Sequence, residues 1–243
     1  MDHDFENERC ENRRLLRDDA GLKELGDNFL VQSGVARYSY NFDWLGLPII
    51  QYPADIVAIQ ELIWRVGPGA VVETGIARGG SLALSASILE LLGGDGIIVG
   101  IDIDLRESNR SAIEAHRLAH RIRLVDGSSI DPSVVGRVHE LIGARRPVLV
   151  FLDSMHTHDH VLAELDAYAP LVEPGSYLVV FDTSVELAPE GYFPDRPWGK
   201  GNSPLSAVKE FLARPGCRFE VDEEYDSKLL ISVAGGGYLR CVR

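Results

Sequence analysis

The chain has 243 residues, 45% of them apolar and 25% charged, which fits a soluble α/β domain able to bury a sizeable core. Its 37 acidic side chains against 24 lysines and arginines give a formal net charge of -13, a field that repels nucleic acid and anionic membrane surfaces. Three scattered cysteines, Cys10, Cys217 and Cys241, form no CxxC pair and speak against a disulfide framework or a structural zinc site.

Residues 1–52 read as an N-terminal extension. It is charged up to about Asp27 and has no apolar core of a secretory signal. It then turns aromatic in "YSYNFDWLGLPIIQYP", either as a cap over the active face, as an ordered tail or as a surface between subunits of a homo-oligomer. No apolar run reaches the length of a membrane span, so the cytoplasm is the expected compartment. From Pro53 a regular alternation begins and defines a second unit, 53–243. "PADIVAIQELIWRV" places Ile56, Ile59, Ile63 and Val66 at helical spacing behind a first-turn proline. Then follow a strand "AVVETG", a helix "GSLALSASILELL", and strands "GIIVGID" and "IRLVDG". A helix "PSVVGRVHELI", a strand "PVLVFLD", a helix "HVLAELDAYAPLV" and a strand "SYLVVFD" continue the pattern. The chain closes with a helix "PLSAVKEFLARP" and two strands, "RFEVD" and "KLLISVAGGGYLRCV", with no helix between them.

Near-continuous apolar strands separated by helices predict a mostly parallel sheet covered on both faces. Two closing strands without a helix predict a terminal antiparallel hairpin. The fold class expected is a Rossmann-like seven-stranded sheet with a terminal antiparallel strand. Five strands end in an acid: Glu73, Asp102, Asp126, Asp153 and Asp182. Carboxyl ends of parallel strands share the sheet edge where ligands bind in open α/β folds, so these acids are expected to converge on one crevice. Each acid taken singly could equally be a turn former or helix cap.

"VVETGIARGGSLAL" is a strand, a Gly-rich turn and a helix, an arrangement that offers backbone amides to a ligand. An acid in the last strand position, Glu73, suits a cationic ligand better than a pyrophosphate. Asp102, at the end of the next strand, can hold both hydroxyls of a ribose. S-adenosylmethionine, a sulfonium carrying an ammonium group, answers both.

"NFDWLGLPIIQYPADIVAIQELIWRVGPGAVVETGIARGGSL", "VFLDSMHTHDHVLAELDAYAPLVEPGSYLVVFDT" and "RPWGKGNSPLSAVKEFL" resemble the cephalosporin hydroxylase/rhamnosyl O-methyltransferase family over roughly residues 40–243. More distantly the chain is similar to metal-dependent catechol O-methyltransferases. The resemblance implies a class I S-adenosylmethionine-dependent O-methyltransferase, assisted by Mg2+, acting on a hydroxyl of a sugar or glycosylated natural product. It also implies roles residue by residue. Glu73, Gly75, Ala77 and Ser81 would line the methionine end of the donor, Asp102 the ribose, and Asp126, Gly127 and Ser128 the adenine. Asp153 would face both donor and metal, and Asp182 would be the second metal ligand. Relatives often carry Glu-Asp where this chain has Phe181-Asp182, which removes one carboxylate and leaves the place to Thr183, a histidine or water.

Methyl transfer to an alcohol needs help in removing the hydroxyl proton. A divalent metal stabilises the developing alkoxide and a nearby base takes the proton. His156, three residues past Asp153, is the expected base, since an imidazole titrates near neutral pH. His158 and His160 are expected at the start of the following helix, and a zinc site built from the three histidines is the lesser reading. The long segment 184–203, with Tyr192, Phe193, Trp198 and Lys200, is expected as a lid. Two other functions stay open on sequence: a non-catalytic S-adenosylmethionine-binding accessory to a tailoring oxygenase, and a nicotinamide-dependent oxidoreductase.

Overall fold

A computed structural model describes residues 3–243. Two helices, α1 (His3–Asp18) and α2 (Ala20–Val35), lead into a small hairpin, β1 (Phe42–Trp44) and β2 (Leu47–Ile49). Then come α3 (Pro53–Val66), β3 (Ala70–Thr74), α4 (Gly80–Leu92), β4 (Ile97–Asp102), α5 (Glu107–Glu114), β5 (Ile122–Asp126) and α6 (Pro132–Ile142). The second half contains β6 (Val148–Leu152), α7 (His158–Tyr168), β7 (Tyr177–Val180), α8 (Pro204–Ala213), β8 (Phe219–Val221), α9 (Glu223–Lys228) and β9 (Tyr238–Cys241).

Seven strands form one sheet in the order β5-β4-β3-β6-β7-β9-β8. All neighbours pair in parallel except β9, which runs antiparallel to both β7 and β8. The expected seven-stranded sheet with an antiparallel final strand is therefore present, and that last strand inserts between β7 and β8. Chain direction across the sheet reverses between β3 and β6, the switch point at which ligands of open α/β sheets bind.

The strands are near-continuous apolar runs because both sheet faces are covered. Val71, Leu149 and Val179 face one core with α3 and α4, through Ile59, Ile63 and Leu82. Val72, Val150 and Val180 face the other with α6, α7 and α8, through Val138, Leu165 and Val208. The β1–β2 hairpin lies so close on α4 that a Cβ at Gly80 would collide with the Pro48 carbonyl. Among the described residues no helix is long and apolar enough to cross a membrane, and all three cysteines are free thiols.

Four expectations need correction. β3 runs one residue past Glu73, to Thr74. A short helix, α9, does lie between the closing strands, started by Asp222, whose carboxylate accepts from the Glu224 amide at 2.9 Å. The last strand spans only Tyr238–Cys241, since Gly235, Gly236 and Gly237 break the apolar run before it. The helix after β6 ends at Tyr168 rather than Val172, with a single 3-10 turn to Leu171. The α1, α2 and α5 helices bury too few apolar side chains to have been read from sequence: α1 buries none of its residues, α2 only Gly26 and Leu30, and α5 only Ile113.

Candidate active site

The floor of the site is the carboxyl edge of β3, β4, β6 and β7. A cavity of about 1150 Å3 opens above it. Asp102, Asp153, His156 and Asp182 line its floor, the Gly-rich turn with Gly75 and Ala77 lines one side, and Trp198 of the 184–203 segment lines another. Leu30 and Val31 of α2 and Gln51, just past β2, complete the wall, so part of residues 1–52 does stand over this edge.

The turn after β3 has left-handed backbone at Gly75 (φ 88°), Ala77 (φ 47°) and Gly79 (φ 86°). Glycine is required at 75 because a Cβ would run into the Asp153 carbonyl oxygen. The same close approach lets the Asp153 amide donate to the Thr74 carbonyl at 2.9 Å. Asp102 holds this turn from the next strand: its Oδ2 accepts from the amides of Ile76 and Ala77 at 2.9 and 3.2 Å. Its Oδ1 accepts from Asp104 at 2.9 Å. The acid expected at the ribose thus faces the cavity and also shapes its rim.

Glu73 sits beneath this rim, 3% exposed. Its side chain shares the small space under the cavity with Gln51, Ser81 and Asp153. Burial pushes its carboxyl up to about 8, against the opposing hydrogen bond from the Ser81 hydroxyl. Gln51 donates from Nε2 to Asp153 Oδ2 at 3.0 Å. Nothing in the sequence distinguishes this glutamine, since its partner lies 102 positions away.

Asp153 and Asp182 lie just past the ends of the adjacent strands β6 and β7. His156 Nε2 comes to 3.0 Å from Asp182 Oδ2. One donor atom each from Asp153, His156 and Asp182 lie within 4.8 Å of one another. Loss of water, and then the charges of Asp182 and Glu73, raise the Asp153 carboxyl well above its usual range. Burial also pushes Asp182 up, but His156 outweighs it and holds that carboxyl below its usual range. Asp182 has a left-handed backbone (φ 52°), strain of the kind that persists where surrounding structure fixes a functional side chain.

Two carboxylates crowded without a fixed cation are a donor set that a divalent metal would relieve, and oxygen ligands suit Mg2+. The missing third carboxylate has a physical account. Phe181 is 2% exposed and packs edge-on against Phe151 at 5.9 Å, on the α3–α4 face of the sheet. Asp182, the next residue, faces the crevice and meets the imidazole of His156 there.

Asp126 stands at the end of β5, at the sheet's edge, and does not line the cavity. Both its oxygens accept from Arg110 at 2.6 Å. Gly127 and Ser128 follow it, also outside the cavity wall. The structure therefore brings four of the five strand-end acids to one crevice and leaves the fifth on its outer flank. His158 is taken up by Ser206 (2.8 Å) and Glu210 (3.1 Å). His160 joins a buried cluster in which Ser129 and Ser154 donate to Glu164 Oε1 at 2.5 and 2.7 Å. Neither histidine reaches the Asp153–Asp182 pair, so the three histidines form no shared metal site.

The protein family described as Rhamnosyl O-methyltransferase/CmcI matches residues 36–242 of the chain. A rhamnosyl O-methyltransferase of Mycobacterium tuberculosis is 26% identical over 197 residues, covering 81% of this chain and 76% of that protein. Its counterpart in Mycobacterium leprae is 25% identical and covers 81% of each. Among solved structures, CmcI in a Mg-SAM form is 21% identical with a TM-score of 0.56, over 84% of this chain and 78% of that one. An O-methyltransferase from Bacillus cereus in complex with SAH is 17% identical with a TM-score of 0.54, over 93% and 92%. MycE of the mycinamycin pathway, with Mg and SAH, is 19% identical with a TM-score of 0.52, over 88% of this chain and 53% of that one. The structural likenesses establish the fold, and the family match over nearly the whole chain settles kinship: this chain belongs to the rhamnosyl O-methyltransferase/CmcI family.

Proposed function

We propose that this protein transfers the methyl group of S-adenosylmethionine to a hydroxyl of a sugar or of a glycosylated natural product, with Mg2+ held by Asp153, Asp182 and His156. The observation that carries this reading is the convergence of those three donor atoms beside the Gly-rich turn, on the floor of a single cavity. In the reaction the sulfonium C–S bond breaks as the C–O bond forms, and the hydroxyl proton must leave. The metal, when bound, stabilises the developing alkoxide.

The chain's own groups do the rest. Glu73 and Ser81 offer a carboxyl and a hydroxyl beneath the turn, where the positive end of the donor would restore charge to Glu73. Asp102 keeps the turn amides in place. Gln51 fixes one oxygen of Asp153. Asp182 orients the His156 ring, and the single lone pair of Nε2 serves either metal or proton. As a ligand it leaves the hydroxyl proton, acidified by the metal, to pass to solvent; as a base it takes that proton itself, with Asp182 stabilising the resulting imidazolium. The roof, α2 and the 184–203 segment, keeps bulk water from the reacting methyl group.

The test is incubation with labelled donor, Mg2+ and a panel of glycosides, following label into the acceptor. Transfer that vanishes on chelation and returns with Mg2+ supports the reading. Tight donor binding without transfer to any acceptor would favour an accessory role, and no donor binding would remove both.

A further inference from the structure

The cavity is electrostatically two-sided. Its floor carries Asp102, Asp153 and Asp182, and its upper rim carries two arginines, Arg37 and Arg196. These are its only lysine or arginine side chains among the described residues. Each guanidinium lies over an aromatic ring that also lines the cavity: Arg37 over Tyr40 at 5.7 Å, and Arg196 over Trp198 at 5.1 Å. Stacking fixes the plane of a guanidinium and leaves its edge N–H groups free to bind. Among the described residues neither arginine side chain makes an ion pair within 4.0 Å. Asp195, the carboxylate on the same rim, pairs with neither of them.

The Arg37 backbone is held in place, and Arg196 is linked to the floor through a ring. Arg37 has a left-handed backbone (φ 51°), costly for a residue with a Cβ. Its carbonyl accepts from the Tyr40 amide at 3.0 Å and from Asn41 Nδ2 at 3.1 Å. Arg196 reaches the reacting centre through one ring, because the Trp198 ring meets His156 edge-on at 4.8 Å. Both arginines are exposed to solvent, and in a chain with a net charge of -13 they are the guanidinium groups that a negatively charged acceptor would meet at this cavity.

We propose that the acceptor is anionic: a sugar or glycoside bearing a carboxylate, phosphate or sulfate group, bound at the rim by Arg37 and Arg196 while its hydroxyl lies at the Asp153–His156–Asp182 floor. Arginine forks match such oxyanions with paired hydrogen bonds. Methylation requires the hydroxyl at the floor, so an acceptor held by its anionic group at the rim presents the hydroxyl that lies at the matching distance from that group. That fixes which hydroxyl is presented. The inference rests on the methyl-transfer reading of the same cavity. The donor's own carboxylate is the other source of an oxyanion, and the test separates the two.

The probes are p-nitrophenyl β-glucuronide and p-nitrophenyl β-glucoside, which differ in a carboxylate. Each is titrated calorimetrically into the protein alone and into protein loaded with S-adenosylhomocysteine and Mg2+. The expected result is glucuronide binding at least about tenfold tighter than glucoside, a preference that shrinks as salt screens the charge. Arg37→Gln and Arg196→Gln should each reduce the preference at least about threefold and leave S-adenosylhomocysteine affinity within about twofold. Equal binding of the two probes, no binding of either, or a preference that survives both substitutions overturns the proposal. So does a parallel loss of S-adenosylhomocysteine affinity, which would assign the arginines to the donor. If wild-type protein binds no S-adenosylhomocysteine, the methyl-transfer reading fails by itself, and the probe titrations without nucleoside still decide on the anion site.

Discussion

His156 Nε2 stands 3.0 Å from Asp182 Oδ2, and this contact binds the turn after β6 to the end of β7. It brings a third donor atom beside two crowded carboxylates. A histidine three residues past Asp153 does not follow from strand periodicity. It arrives because the chain doubles back over the strand ends before α7 begins.

The donor set predicts a graded response to substitution. Asp153→Asn and Asp182→Asn should each weaken Mg2+ binding more than about tenfold, and slow methyl transfer by roughly 100-fold or more. His156→Ala should weaken Mg2+ binding as well, with part of the rate restored at high Mg2+. Calorimetric Mg2+ titration paired with rate measurement checks this. If His156→Ala leaves Mg2+ affinity untouched and removes the acidic limb of the pH–rate profile, His156 is the base and not a ligand.

Buried acids make metal-free stability depend on pH. Asp55 is fully buried, accepting from Ser232 (2.6 Å), the Val233 amide (3.0 Å) and Tyr238 (3.2 Å). Burial, only partly offset by those donors, raises its carboxyl to about 6, and burial raises Glu73 to about 8. Unfolded carboxyls titrate near 4. Groups raised on folding favour the folded state fully at pH below the unfolded value, and that contribution is lost as pH climbs through the folded one. Urea unfolding without metal should therefore show stability falling from pH 5 to pH 8, by on the order of a few kcal/mol from these two groups. Asp55→Asn should flatten the slope below about pH 6, and Glu73→Gln should flatten it up to about pH 8. Unaltered slopes in both variants would show that the two carboxyls titrate normally.

Much of this site was legible in the sequence. Apolar runs ending in acids located β3, β4, β6 and β7, and a parallel sheet puts such ends on one edge. Asp126 could not be separated from the others, because strand order is a tertiary fact: β5 falls at the sheet edge, where Arg110 takes both its oxygens. Gln51, Arg37 and Arg196 carry no local signal either, since each matters only through residues distant in sequence or through the cavity they share. The same is true of Glu164, whose spacing from His160 is helical while its serine partners come from two other loops.

That buried cluster should position the catalytic turn. Glu164 is wholly buried, and its Oε1 accepts from Ser129 of the β5–α6 connection and from Ser154, next to Asp153. Glu164→Leu leaves the two hydroxyls only His160 Nε2 to share and should cost about 2–3 kcal/mol, with Mg2+ affinity falling because Ser154 is held less firmly. Glu164→Gln keeps an acceptor at Oε1 and should retain most of the stability. Removing the Glu164 charge also eases the upward pressure on the Asp153 carboxyl. Thermal melts and Mg2+ titration of both variants check this. Equal losses in the two would mean that charge, and not the acceptor atom, is what the cluster needs.

Two tethers of the roof lie on α2 and on α7, and release of the first should affect acceptor binding before chemistry. Tyr192 donates its hydroxyl to the Val31 carbonyl of α2 at 2.6 Å. At its other end the segment is anchored where Asn202 Oδ1 accepts from the His158 amide at 2.9 Å, at the first residue of α7. Tyr192→Phe removes one hydrogen bond, worth about 1 kcal/mol, and frees the segment on the α2 side alone. The expected result is an acceptor KM raised about fivefold with kcat nearly unchanged, and faster tryptic cleavage after Lys200. The segment touches the floor through Trp198 on His156, so any change in Mg2+ affinity should be smaller than the change in KM. A fall confined to kcat would mean that this tether shapes the reacting geometry itself rather than the closing of the roof.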